Sequence, residues 1–166
     1  MQLENKVAVI TGSGSGIGKA IALAFATERA AVIVDYASHP EPALNTVEEI
    51  ERAGGRAVSV KADVTSPADV RTLVQRSVQE FGRLDILVNN AGVEYKMPFL
   101  QTPLEVWNRV VAINLTGPWL GCRKAAEQIV SQGTVRAGSS TSPPYTRTCQ
   151  CRRTLPTAPR RAVCAC

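Results

Sequence analysis

The sequence has few aromatic residues, one histidine and no long apolar run. Aromatic residues make up 5% of the 166 residues, and His39 lies in a proline-containing loop where we expect it to be solvated. No apolar run approaches the roughly 18 residues that cross a bilayer. The first four residues lack the basic and apolar stretches of a signal peptide. We therefore expect a cytoplasmic protein, and the 45% apolar and 20% charged content fits one soluble globular domain.

Acidic residues are absent from the last part of the chain. Residues 1–133 hold 13 basic and all 14 acidic residues, whereas residues 134–166 hold six arginines and no acid. Cysteine is divided in the same way, since Cys122 stands alone and the other four lie between 149 and 166. We therefore predict a folded domain over 1–133, followed by a disordered, irregular tail over 134–166 that is rich in Cys, Arg and Pro.

Short apolar runs alternate with longer helical patterns through residue 93. The strand candidates are residues 7–10, 31–34, 57–60 and 86–88. They are apolar without strict alternation, which suits parallel strands that are covered on both faces. The segments between them are long enough for crossover helices. The pattern predicts a doubly wound parallel α/β sheet with the order β-α-β-α-β-α-β.

Helical signals support this order. Ser66 is a candidate N-cap for the third helix, Pro67 fits its first position and Asp69 complements its dipole. Helical patterning resumes over 104–112 and continues, after a predicted break near 115–118, toward Ile129. Asn114 shares a helical face with apolar residues, so we expect it to be buried and to need hydrogen-bond partners.

Polar residues follow each predicted strand. Thr11-Gly12, Asp35, Asp63 and Asn89-Asn90 stand at the four ends. Each of them could be a turn residue when taken alone. Together they favour a ligand crevice, because ligands of such sheets bind beyond the carboxyl ends of the strands.

The first turn, residues 11–18, has the sequence T-G-S-G-S-G-I-G. Glycines let a backbone approach a ligand closely, and the N–H groups that open the next helix favour an anion such as pyrophosphate. The spacing fits neither the P-loop nor the G-x-G-x-x-G pattern. It fits T-G-x-x-x-G-x-G.

Four motifs together resemble the short-chain dehydrogenase/reductase family over about 130 residues. They are the glycine turn, Asp63-Val64, the N-N-A-G of residues 89–92 and the asparagine of N-L-T-G, Asn114. Within that family, the residues around these motifs most resemble those of bacterial glucose 1-dehydrogenases and 3-oxoacyl reductases. The resemblance implies a Rossmann-type fold, here incomplete, with the first four strands and their helices.

The resemblance also implies an activity and a set of site residues. The family transfers hydride between NAD or NADP and an alcohol or carbonyl carbon. Its Asn114 equivalent anchors a water relay that leads to a catalytic lysine, and its Asp63 and Val64 equivalents border the adenine. The remaining cofactor-binding residues implied are Thr11, Gly12, Ser15, Gly16, Ile17, Gly18, Asp35, Asn90, Ala91 and Gly92.

Residues near the end of the second predicted strand and in the glycine turn slightly favour NAD over NADP. A carboxylate near the end of the second strand can bind the ribose hydroxyls and repel the extra phosphate of NADP. Asp35 is close to that point, although the family's usual acid falls where Tyr36 stands. Ala37 replaces an arginine that is frequent in NADP-accepting relatives, and the glycine turn holds Ser13 and Ser15 rather than a basic residue.

The family's catalytic serine, tyrosine and lysine are missing. Tyr145 is followed four residues later by Cys149, and the chain has no lysine after Lys124. Codons chosen for residues 138–166 can spell N-I-S-S and Y-C-A-S-K in another frame, which predicts a reading-frame shift between about residues 129 and 138. We expect a catalytically inactive, cofactor-binding chain without the region through which relatives oligomerise. We also expect residues 84–89 to form an exposed apolar edge strand that lowers stability and promotes aggregation.

Two further hypotheses concern the tail. The C-x-C pairs at 149–151 and 164–166 could bind zinc through four thiolates, which would make the tail a metal-binding module. Its arginines could bind nucleic acid, although without interleaved aromatic residues we expect weak, salt-sensitive binding with no specific nucleic-acid partner. We expect no metal site and no membrane partner, and the resemblance implies a nicotinamide dinucleotide and a small alcohol or carbonyl compound as partners.

Overall fold

The four predicted strands form a single parallel sheet. The computed structural model describes residues 2–133. The strands are β1 (Val7–Ile10), β2 (Ala31–Tyr36), β3 (Arg56–Lys61) and β4 (Ile86–Val88), in the order β3-β2-β1-β4. All three strand pairings are parallel, which confirms the predicted doubly wound sheet. β2 and β3 run beyond the apolar residues that predicted them.

Helices cover both faces of the sheet. They are α1 (Gly16–Thr27), α2 (Glu41–Arg52), α3 (Pro67–Phe81), α4 (Leu104–Val111) and α5 (Gly117–Ser131), with a short 3-10 helix at Phe99–Gln101. Val9 and Ile33 pack with Leu73 of α3 on one face, and Ile10 packs with Ile50 of α2 on the other. Because both faces are buried, the strands are apolar at successive positions, as the sequence shows.

The third helix begins where its sequence predicts. The Asp69 N–H donates to the Ser66 hydroxyl oxygen at 3.3 Å, and Pro67 opens the helix. Pro67 fits there because a first-turn residue needs no N–H bond within the helix. The helix ends at Gly82, which has a left-handed φ of 80°.

The predicted break near residues 115–118 is wrong. Between α4 and α5 the chain stays helical through a π-helical turn, Ala112–Thr116, in which the Gly117 N–H donates to the Ala112 carbonyl five residues earlier. Pro118 has no N–H and cannot donate the α-helical bond to the carbonyl of Asn114. The wider turn lets the helix continue past this proline.

The prediction of an exposed apolar strand at 84–89 needs correction. Leu84, Leu87 and Val88 are buried by the packing of helices on the sheet, with at most 6% of their surface exposed. Within residues 2–133, β4 pairs with β1 only. Its exposed feature is therefore the backbone edge and not its side chains.

No helix among the described residues is both long enough and apolar enough to cross a membrane. Four predictions rest on residues 134–166: the disordered tail, the reading-frame shift, the zinc-binding cysteine pairs and the arginine-rich nucleic-acid surface. All of them lie outside the described residues.

Candidate functional site

The strand order reverses between β1 and β4, and the polar residues that follow these strands meet there. β1 pairs with β2 on one side and with β4 on the other, so the helices after β1 and β4 leave the sheet on opposite faces. In open α/β sheets such a reversal leaves a crevice beyond the carboxyl ends of the strands. Thr11 and Gly12 follow β1, and Asn89 and Asn90 follow β4.

Thr11 joins these two strand ends. Its hydroxyl oxygen accepts the N–H groups of Asn90 and Ala91, each at 3.0 Å, and its hydroxyl donates to the Val88 carbonyl at 3.3 Å. In return, the Asn90 carboxamide donates to the carbonyls of Thr11 and Gly12, at 2.9 and 3.0 Å. The T-G and N-N-A-G motifs therefore form one hydrogen-bonded unit.

Two positions of the turn require glycine for different structural reasons. A Cβ at Gly18 would lie 2.4 Å from the Asn90 side-chain nitrogen and 2.5 Å from the Gly12 carbonyl oxygen, so α1 can approach β4 only with glycine there. A Cβ at Gly16 would meet no atom within 4 Å, but Gly16 has a left-handed φ of 57°. The space in front of Gly16 is open to a ligand.

The N-terminus of α1 faces this open space. Ser15 is the N-cap residue, and its side chain makes no capping hydrogen bond. Ser15, Gly16 and Ile17 are exposed, and the bond from the Lys19 N–H to the Ser15 carbonyl begins the helical series. The N–H groups that open α1 therefore have no partner within the helix and can bind an anion.

Asp35 lies beneath the turn and does not face the crevice. Its side chain is buried, with 2% of the residue exposed, and its Oδ2 accepts the Gly12 N–H at 3.0 Å. Burial raises the pKa of Asp35 to about 7, against the opposing effect of the Gly12 N–H. A direct contact with a ribose, as the sequence suggested, does not fit this placement, because the carboxyl group is turned into the protein.

Ser13 is a site residue that sequence reasoning missed. It is fully buried, and its hydroxyl donates to the Ile10 carbonyl at 2.7 Å while accepting the Asp35 N–H at 3.0 Å. The Ser13 N–H donates to the Asp35 carbonyl at 3.1 Å. A small hydroxyl residue directly after a strand could have signalled such a backbone-bonding role.

Asp63 and Val64 lie at the next strand end. Asp63 is exposed, and the hydroxyl and N–H of Thr65, at 2.7 and 2.8 Å, lower the pKa of its carboxyl group. Val64 borders the start of α5, where a Cβ at Gly117 would lie 3.1 Å from its methyl group. One oxygen of Asp63 therefore stabilises its own loop, and adenine contact stays a prediction.

Asn114 closes the other side of the site. Its carboxamide binds Val93 twice, accepting the Val93 N–H at 2.9 Å and donating to the Val93 carbonyl at 2.8 Å. A Cβ at Gly92 would lie 3.3 Å from its Oδ1. Asn114 is exposed, so the expected burial is wrong, although the expected partners are present. Neither α4 nor the π-helical turn that holds Asn114 has a buried residue among the described part of the chain.

The site as a whole presents backbone N–H groups and neutral polar side chains at one edge of the sheet. The structure brings together the glycine turn, Asn90 to Gly92 and Asn114, with Asp35 beneath the turn and Asp63 at its margin. Among residues 2–133 no group of three or more His, Cys, Asp or Glu side chains could hold a metal ion. Such a site suits a phosphate-containing nucleotide.

The chain belongs to the short-chain dehydrogenase family. The sequence model of that family, described as short chain dehydrogenase, matches residues 6–143. This confirms the resemblance carried by the four motifs. Proteins of this family are oxidoreductases that use the nicotinamide cofactors NAD and NADP.

Individual relatives cover most of this chain. Glucose 1-dehydrogenase 2 of Bacillus subtilis is 42% identical over 130 residues, which cover 77% of this chain and 50% of the relative. 3β-hydroxysteroid dehydrogenase 1 of Eggerthella lenta is 42% identical over 130 residues, which cover 78% and 50%. A solved short-chain type dehydrogenase/reductase from Mycobacterium marinum is 40% identical with a TM-score of 0.76, covering 79% and 53%. The chain spans about half the length of the curated relatives it matches.

Proposed function

We propose that residues 1–133 bind a nicotinamide dinucleotide and that the protein of this sequence binds it without catalysing hydride transfer. The observation that carries the proposal is the open N-terminus of α1 beside Gly16, joined through Thr11 to Asn90 and Ala91. By family, the ancestral activity is the oxidation of an alcohol or the reduction of a carbonyl compound. The bound cofactor would supply or accept the hydride.

The residues present fit the cofactor. Gly16 leaves room for a close backbone approach, and the N–H groups of Gly16 and Ile17 offer donors to the pyrophosphate. Asn90, Ala91 and Gly92 line the opposite side of the crevice. Thr11, Gly18 and Asp35 support the turn from below, so their proposed contribution is to its shape. Ser15, Asp63 and Val64 are proposed to lie along the adenosine half.

We retain the slight preference for NAD over NADP, but the argument for it no longer depends on Asp35. The buried Asp35 cannot repel a ribose phosphate by direct contact. The support that remains is the lack of a basic side chain where such a phosphate would need one. Ala37 is exposed directly after β2, and the turn carries Ser13 and Ser15 in place of a cation.

This sequence lacks the residues that transfer the proton in the family's reaction. The 166 residues contain no Y-x-x-x-K, and Lys124 is the last lysine. General acid-base assistance of this kind contributes about 10²- to 10⁴-fold to a rate. Asn114 is held in position by Val93, but the tyrosine and lysine that its water relay serves in the family are not in this sequence.

The substrate class proposed for the family ancestor is a small alcohol or carbonyl compound, with a glucose-like sugar and a hydroxysteroid as candidates. One relative is named for glucose and an equally similar one for a 3β-hydroxysteroid. Both names indicate oxidation at a carbon that bears a hydroxyl group. Similarity over the shared half of the chain does not separate the two classes.

The first experiment measures binding and turnover on the same sample. We expect calorimetric titration with NAD⁺, NADP⁺ and ADP-ribose to show one site for each ligand that binds, with NAD⁺ at least as tight as NADP⁺. We expect no change in absorbance at 340 nm with glucose or a ketone, because the proton-transfer residues are absent. Turnover above the uncatalysed rate would overturn the inactive assignment, and absence of binding by all three ligands would overturn the cofactor site.

A further inference from the structure

Three hydrogen bonds fasten the end of β2 to the glycine turn. The Gly12 N–H donates to the Asp35 Oδ2 at 3.0 Å, the Asp35 N–H donates to the Ser13 hydroxyl oxygen at 3.0 Å, and the Ser13 N–H donates to the Asp35 carbonyl at 3.1 Å. Gly12 has a left-handed φ of 61°. Asp35 therefore fixes the conformation of the turn from which α1 begins.

The second carboxyl oxygen of Asp35 has no partner. Among the buried side-chain polar atoms of residues 2–133, Asp35 Oδ1 is the one without a hydrogen bond. The Ala62 N–H favours the ionised carboxyl group, but it donates its hydrogen bond to the Tyr36 carbonyl at 2.9 Å. A buried, unpartnered carboxylate oxygen is costly, and protonation lowers that cost because it removes the buried charge.

The charged groups around Asp35 are mainly negative. Asp63, after β3, and Asp69, in the first turn of α3, both act to raise the pKa of Asp35, after the larger effect of burial. β1 has no charged residue, and the charged residue of α1, Lys19, pairs with Glu49 at 2.6 Å. The first turn of α2 carries Glu41, and the neighbouring β3 carries Lys61 opposite Tyr36.

We propose that Asp35 is a positioning residue whose carboxyl proton sets how tightly the glycine turn binds the phosphates of a dinucleotide. The inference rests on the proposed cofactor site. The neutral carboxyl group still accepts the Gly12 N–H through one oxygen, so the turn keeps its conformation in both protonation states. Only the ionised form places a negative charge beneath N–H groups that must bind an anionic pyrophosphate.

Binding and protonation are therefore linked. An anion bound at the turn opposes ionisation of Asp35, and by linkage the protonated protein binds that anion more tightly. The pKa of Asp35, raised to about 7 by burial, places this effect between about pH 6 and pH 8.5. Each unit by which binding raises this pKa changes the affinity about tenfold across that range.

The test is calorimetric titration of the full chain with NAD⁺ or ADP-ribose, whose pyrophosphate charge is constant over this range. For the natural sequence we expect an affinity about tenfold weaker at pH 8.5 than at pH 6, with proton uptake shown by comparing buffers of different ionisation enthalpy. For Asp35→Asn we expect tight, pH-independent binding. His39→Gln is the control and keeps the pH dependence, because His39 is exposed in the loop after β2.

A measurement without ligand separates this inference from the proposed function. Because the folded-state pKa of Asp35 is raised, its contribution to stability is full below the ordinary pKa, near 4, and is lost as the pH rises through about 7. The unfolding midpoint should therefore fall over this range in the natural sequence and fall less in Asp35→Asn.

Binding with the same affinity at both pH values, or an Asn variant with unchanged pH dependence, would overturn the role of Asp35 alone. Absence of dinucleotide binding at every pH would overturn the proposed function, and this inference with it, even where the unfolding midpoints behave as expected. If Asp35→Asn does not fold, proton uptake by the natural sequence on binding still decides the outcome.

Discussion

At the scale of single residues, Thr11 shows why the site tolerates few changes. Its hydroxyl oxygen accepts two N–H groups that follow β4, from Asn90 and Ala91, in a buried position. The crevice therefore depends on one hydroxyl group.

Replacing Thr11 tests this dependence. Thr11→Val keeps the shape but removes the oxygen that accepts these two N–H groups, and each hydrogen bond lost from a largely buried group costs about 1–3 kcal/mol. We expect a loss of about 2–4 kcal/mol in the free energy of unfolding, measured by urea denaturation. Thr11→Ser keeps the hydroxyl and should lose about 1 kcal/mol or less for the missing methyl group. Equal losses in the two variants would contradict the role of the hydroxyl.

The sequence predicted which residues stand at the strand ends but not where each side chain points. β2 is apolar at successive positions, so its pattern does not tell which face Asp35 takes. In the structure, the Asp35 side chain lies beneath the glycine turn. Its N–H donates to the hydroxyl of Ser13, a position that the T-G-x-x-x-G-x-G motif leaves unspecified. The pairing of Asn114 with Val93 could not be predicted either, because it joins the π-helical turn to the loop after β4, 21 positions earlier in the sequence.

At the scale of elements, strands were predicted more accurately than the helix that follows the N-N-A-G motif. The four predicted strands are followed by polar residues, Thr11, Asp35, Lys61 and Asn89, which mark their ends. The π-helical turn Ala112–Thr116 has no comparable sequence signal. Pro118 indicated a break, whereas the chain absorbs the proline by forming a wider turn.

The helical segment from Leu104 to Trp119 leaves large apolar side chains exposed. Leu104, Trp107, Leu115 and Trp119 have 56–68% of their surface exposed, and their spacing places them near one helical face. None of them is buried against another part of residues 2–133. Exposed apolar groups near one another on a surface favour association.

We therefore expect the protein to self-associate through this helical face. The double variant Leu104→Glu and Leu115→Glu should reduce concentration-dependent association, measured by sedimentation velocity, by adding charge to that face. Leu44→Glu is a matched control, because Leu44 is also exposed, at 47%, but lies on α2. If the double variant associates as strongly as the Leu44→Glu control, the association would instead involve the open backbone edge of β4.

At the scale of the whole molecule, the described residues include the four strand ends beyond which we propose that the cofactor binds. Ligands of such sheets bind beyond the carboxyl ends of the strands, and those of β1 to β4 are all present. The proton-transfer residues of the family belong to a later strand and helix, and no match to them occurs in this sequence. Local motifs could therefore predict a binding site, whereas the substrate depends on residues outside this half.

The most direct test compares two glycine-to-alanine variants in a titration with NAD⁺. Gly16 and Gly82 both have a left-handed φ, and a Cβ at either would meet no atom within 4 Å. Each substitution therefore strains the backbone by roughly 1–2 kcal/mol, but only the methyl group at Gly16 stands before the N-terminus of α1. We predict that Gly82→Ala binds NAD⁺ as the natural sequence does and that Gly16→Ala binds at least about tenfold more weakly. Equal affinities in the two variants would contradict a dinucleotide site at this turn.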